Sequence, residues 1–190
     1  MTDVSNAELA LLSLLAEQPC HGYQIEQMIE ERNMRYWTEI GFSSIYRVLK
    51  KLEKEDLVSA QMQPPEGRGP ARKVYHLTEM GQSVWQQAAL KALAQPEHKY
   101  SSFLLGLDNL GALPPMQAQK AIKEYLNQQR SVYQGLNQAV NQHPLRDDFY
   151  IAAFFEYLLH DLKAEIEWLD RFTTMLTDHN KKSIKNDEEM

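Results

Sequence analysis

The chain has a single cysteine, Cys20, so no intrachain disulfide can form, which suits a reducing cytosol. Long hydrophobic runs are also missing. The longest uninterrupted apolar stretch, Phe149 to Phe155, falls far short of the roughly 20 residues of a membrane span. A cationic leader is lacking too, since Asp3 and Glu8 stand where a signal peptide would need positive charge. These absences lead us to expect a soluble, cytoplasmic protein. The six histidines are scattered, and the adjacent Cys20-His21 and His160-Asp161 have no second pair at a zinc-like spacing. Nothing has the form of a nucleophile elbow, a phosphate-cradling glycine loop or a hydrolase triad. We therefore expect no enzyme, no metal and no cofactor. Net positive charge is absent as well. At −6 overall, the chain is not one that coats nucleic acid indiscriminately.

The cations that are present are concentrated. Between Ser43 and His76, Arg47, Lys50, Lys51, Lys54, Arg68, Arg72 and Lys73 outnumber Glu53, Glu55, Asp56 and Glu66. The first half of this stretch reads as a two-faced helix. Ile45, Val48, Leu49 and Leu52 fall at the i, i+3, i+4, i+7 spacing of a buried stripe. Arg47, Lys50, Lys51 and Lys54 repeat that spacing on the opposite side, where a polyanion would relieve their mutual repulsion. Two short extended segments follow, Val58 to Met62 and Arg72 to Leu77, in which Val74 and Tyr75 favour strand. The linker between them is rich in proline and glycine and continues neither strand. Arg68 is expected near its tip, with Arg72 and Lys73 at its base. A basic helix followed by a basic hairpin is the layout of a winged helix-turn-helix. The competing reading is a solvated charged helix face.

Elsewhere the elements are helical. Ser5-Asn6-Ala7-Glu8 is a capping-box pattern opening a largely apolar helix to about Glu17, and Gln18 to Gly22 breaks it. A second helix is expected from about Tyr23 to Arg32. Tyr36, Trp37, Ile40 and Phe42 lie in an irregular link, and Ser43 and Ser44 are the expected caps of the basic helix. Thr78 caps a helix running to about Ala94. Past Gln95-Pro96-Glu97 no strand candidate appears. Pro114-Pro115 favours the first turn of a long helix, and another starts near Asp147. The last carries Ile151, Phe155, Leu158, Leu162, Ile166 and Leu169 at steps of three and four, continuing to Phe172 and Leu176. So long a stripe suggests a second subunit over part of it, the alternative being a closed monomeric bundle. The expected architecture is mainly α: a winged helix-turn-helix domain with a two-stranded wing over residues 1–94, an all-helical dimerisation domain over 95–180, and a disordered tail over 181–190.

Three blocks then resemble the PadR family of winged-helix transcriptional regulators, in its longer form with a helical C-terminal domain. They are Pro19 to Ile25, Ser44 to Glu53 and Arg72 to Gly81, in matching order across about residues 5 to 94. Asp56 stands where the family often has glycine, and Arg47 where proline or a small residue is common. The leading expectation is a homodimeric, sequence-specific repressor on an inverted-repeat operator in double-stranded DNA. Ser43, Ser44, Tyr46 and Arg47 would reach base edges, while Lys50, Lys51, Lys54, Arg68, Arg72 and Lys73 would contact phosphate. The resemblance also implies a phenolic or other small aromatic effector, for which Trp37, Trp85, Tyr100 and Phe103 are candidate contacts against the alternative of ordinary packing. The rival function is a winged-helix protein-interaction adaptor that ignores duplex DNA.

Overall fold

The computed structural model describes residues 3–38, 40–64, 71–96, 100–142 and 148–188, with residues 42, 43, 142 and 183–188 described by backbone alone. The chain divides into two compact units, Met1–His98 and Lys99–Met190.

The first unit is built around helix α1, Asn6–Glu17, whose capping box forms as its sequence dictates. Ser5 Oγ accepts from the Glu8 N–H, and Glu8 Oε2 accepts from the Ser5 N–H at 2.8 Å. Leu11, Leu12, Leu14 and Leu15 are buried on several sides of α1, which makes it the centre of the core. Strand β1, Cys20–His21, leads directly into α2, Gly22–Glu31. A 3-10 turn, Met34–Tyr36, precedes α3, Phe42–Lys54. Strands β2, Val58–Gln63, and β3, Arg72–Leu77, form an antiparallel hairpin, and α4, Glu79–Ala94, follows. The sheet has three strands in the order β1-β3-β2. The hairpin expected from sequence is there, and β1 is added along its β3 edge. At two residues β1 is too short to carry a period of its own.

Three local devices fix α3. Its apolar stripe is buried as its spacing requires, with Ile45, Val48, Leu49 and Leu52 all 7% exposed or less. Its N-cap is Gly41, not Ser43 or Ser44. The Ser44 hydroxyl instead donates back to the Gly41 carbonyl at 2.5 Å, which spends it inside the first turn. At the other end Asp56 takes the left-handed conformation at φ 54°. The Leu57 N–H bonds the Leu52 carbonyl, and the Asp56 N–H bonds that of Glu53. This is a Schellman termination closed by aspartate where glycine is usual.

The second unit contains α5, Ser102–Asp108, a 3-10 turn, Leu110–Ala112, and two long helices, α6, Pro115–Gln142, and α7, Phe149–Glu188. The long pair runs antiparallel. Gln119 bonds Thr177 near one end of the pairing, and further along Gln129 bonds Glu165 and Arg130 bonds Asp170. Ile122 and Leu126 of α6 meet Leu169 of α7 in a buried cluster. Part of the α7 stripe, of which a portion was expected to face a second subunit, is thus covered within one chain. Phe155, Leu162 and Leu169 are already buried within one chain, and Ile151, Leu158 and Ile166 are half-buried. Residues at steps of three and four face whichever neighbour arrives first, and here it is α6. The segment 181–188, expected to be a disordered tail, continues α7 to Glu188. It holds no proline or glycine to break the helix. Among the described residues, no helix is long and apolar enough to cross a membrane.

Candidate nucleic-acid interface

The buried stripe of α3 turns its opposite face outward. Tyr46, Arg47, Lys50 and Lys54 are exposed, and the last three make no ion pair among the described residues. Ser44 is half-buried, and the side chain of Ser43 lies outside the described residues. So does Arg68 at the expected wing tip, in the segment 65–70. Arg72 and Lys73 are exposed at the base of the hairpin, where Arg72 pairs in register with Gln63 and Lys73 with Met62.

Two cations expected to meet phosphate are engaged inside the chain. Lys51 Nζ pairs with Glu8 of α1 and lies 3.8 Å from Glu55. Glu8 itself is only 3% exposed. Burial pushes its carboxyl up, but hydrogen bonds from Lys51 and from the Ser5 backbone and hydroxyl, with the Lys51 charge, hold it below the usual carboxylate range. The same hydrogen bond, against partial desolvation, raises Lys51 above its ordinary value. Lys73 Nζ is 2.8 Å from Glu53 and sits 5.2 Å from the centre of the Tyr75 ring. Its ammonium is likewise held above the ordinary range, chiefly by the Glu53 hydrogen bond. The cationic face is thus narrower than the sequence suggests. A lysine at helical spacing can be paired by an acid from any element packed alongside, and no local pattern reveals that.

The neighbouring α2 contributes residues that the reading of the basic stretch did not include. His21 caps α2: its Nδ1 accepts from the Gln24 N–H at 3.2 Å, and Gln24 Oε1 accepts from the His21 N–H at 3.0 Å. The His-x-x-Gln spacing was the available signal, masked by the rarity of histidine as a cap. Gly22 follows, and a Cβ there would stand 2.6 Å from Cε1 of Tyr46. The absent side chain lets the Tyr46 ring lie directly on the start of α2.

The aromatic candidates for an effector fall in different settings. Trp85 donates from Nε1 to Ser13 Oγ at 3.1 Å and packs on the core of the first unit. Trp37 is 41% exposed, after the 3-10 turn. In the second unit Tyr100 is 92% exposed, whereas Phe103 stacks on Tyr125 at 4.1 Å and meets Trp168 edge-on. Cys20 is buried, and its thiol is pushed up to about 11 by burial and the nearby Glu17 charge, so it stays protonated and unreactive.

A helix with an outward cationic face, seated on a second helix and followed by a hairpin with Arg72 at its base, defines a winged-helix domain. Residues 11–87 match the model of the transcriptional regulator PadR-like family. Comparison with curated proteins finds no match. Among solved structures the chain is similar to Bacillus subtilis PadR in complex with operator DNA, at 21% identity and TM-score 0.72, covering 89% of this chain and 98% of that one. The same protein in complex with p-coumaric acid gives 21% identity, TM-score 0.69 and coverage of 93% and 99%. The Vibrio cholerae virulence activator AphA gives 19% identity, TM-score 0.68 and coverage of 91% and 99%. The shared fold is a winged helix with extra C-terminal helices.

Proposed function

We propose that the protein is a sequence-specific transcriptional regulator that binds an inverted-repeat operator as a homodimer, represses from it, and is released by a small aromatic or phenolic effector. One observation carries this reading: Arg47, Lys50 and Lys54 stand on the exposed face of α3, clear of ion pairs among the described residues. The N-terminal part of a recognition helix lies deepest in the major groove, so Tyr46 and Arg47, on its second turn, read base edges. Lys50, Lys54 and Arg72 hold phosphate. The relative bound to operator DNA supports the target, and the relative bound to p-coumaric acid supports the effector class.

The test is a polarisation titration on duplex from the region upstream of the protein's own gene, with footprinting to locate the site. We expect affinity of about 10⁻⁸ M or tighter, falling steeply as salt rises, and protection with two-fold symmetry. Arg47→Ala should relax base preference, while Lys54→Ala should weaken all sequences alike and flatten the salt slope by about one. Indifference to duplex DNA even at low salt would mean an adaptor instead. Loss of operator binding on adding p-coumaric acid tests the effector, and quenching of tryptophan fluorescence gives an independent readout.

A further inference from the structure

Resting on that reading of the protein as a DNA binder, we infer that His21 and Arg72 form a two-donor clamp for one phosphodiester oxygen of the duplex, flanking the recognition helix. The inference starts from a proton. Nδ1 of His21 accepts the Gln24 N–H, so it carries no hydrogen. A neutral imidazole then bears its hydrogen on Nε2. Nε2 lies 3.3 Å from Nη1 of Arg72, and a guanidinium can only donate. The contact is therefore not a hydrogen bond between the two. Two N–H donors are brought to one exposed spot, with no acceptor between them among the described residues.

Strand register places them there. His21 pairs with Val74, and Arg72 shares the Val74 face two residues earlier, so the pair are diagonal neighbours across β1 and β3. The site also adjoins the recognition helix, because the ring of Tyr46 lies on Gly22, the residue after His21. A single oxygen carrying negative charge satisfies both donors and removes the juxtaposition of like dipoles. On a duplex laid along α3, that oxygen is a backbone phosphate. The clamp gives His21 a role that its place in the Pro19 to Ile25 block does not reveal. Its Nδ1 starts α2, and its Nε2 is left for DNA.

The test uses the full chain and a mixed-sequence duplex at low salt, since phosphate contacts do not depend on sequence. His21→Asn and His21→Ser keep a capping acceptor for α2 but are too short to place a donor where Nε2 stands. Each should weaken binding about three- to tenfold, the loss of one hydrogen bond, with the salt slope unchanged. Arg72→Gln should weaken it about tenfold and reduce the slope by about one. In the double variant the losses should combine to less than their product, because one oxygen serves both donors. Histidine side-chain ¹⁵N NMR of the free protein should show the Nε2–H tautomer, with a shift of that signal on adding duplex but not inorganic phosphate at matched ionic strength. An Nδ1–H tautomer, parent-like affinity of both His21 variants, or independent losses would overturn the clamp while leaving DNA binding intact. A response to inorganic phosphate would make it a free-anion site and also overturn it. If the parent ignores duplex altogether, the DNA-binding reading fails, and the clamp with it.

Discussion

At the scale of single residues, the positions that decide the basic face carry opposite or unusual chemistry. Asp56 ends α3 at φ 54°, a conformation glycine adopts without steric penalty. Asp56→Gly should stabilise the first unit by about 1 kcal/mol, read as an upward shift of the urea midpoint. Glu8 is the more consequential residue. Its folded carboxyl titrates below the ordinary value of 4.5, so the Lys51–Ser5 arrangement contributes fully above that value. The contribution is lost as pH falls through the lower, folded value. Glu8→Gln should be less stable than the parent at neutral pH and lose less stability on acidification to about pH 3. Urea melts at a series of pH values check both halves of that expectation. Equal pH dependence in parent and variant would remove Glu8 from the account.

Elements obey the same logic over longer reach. The hairpin meets α4 where the Leu57 carbonyl accepts from the Thr78 N–H, and Gly81 packs onto that carbonyl. A Cβ at Gly81 would sit 1.9 Å from the Leu57 oxygen, a rigid backbone atom. Gly81→Ala should therefore cost more than about 3 kcal/mol, visible as a collapse of the thermal midpoint. In the second unit, Leu169 is fully buried between α6 and α7. Leu169→Ala should destabilise that unit by about 2–5 kcal/mol. The loss should be independent of protein concentration, because α6 of the same chain covers the residue. A concentration-dependent loss would return Leu169 to a subunit interface.

For the whole molecule, what could be read in advance divides by distance along the chain. Ile45 to Leu52, the Ser5 and Thr78 caps and the Arg72–Leu77 strand are written in spacings of a few residues, and the structure matches them. Glu8 and Lys51 are joined only by packing of α1 on α3. Nothing near Lys51 announces its partner. That α6 covers Phe155, Leu162 and Leu169 of the α7 stripe is set by tertiary packing, which spacing alone does not reveal. His21 escaped because the same residue serves as strand end, helix cap and surface donor. Arg47, Lys50, Lys54 and Arg72 together should give a salt slope of about −3.5 per protomer on nonspecific duplex. A steeper slope would show that further cations reach the DNA, and a drop in slope of about one in Lys51→Ala or Lys73→Ala would identify them.

On the proposed reading of the protein as a DNA binder, the pairing of Lys73 with Glu53 bears on how it would search a chromosome. A cation held by its own chain contributes little grip on arbitrary sequence, so dwell times at wrong sites shorten and the molecule samples more of them per second. Tight residence then depends on base edges, where recognition is selective. Glu53→Gln would free the ammonium and lengthen every stop, raising affinity for random duplex several-fold while narrowing the margin by which the correct address is preferred.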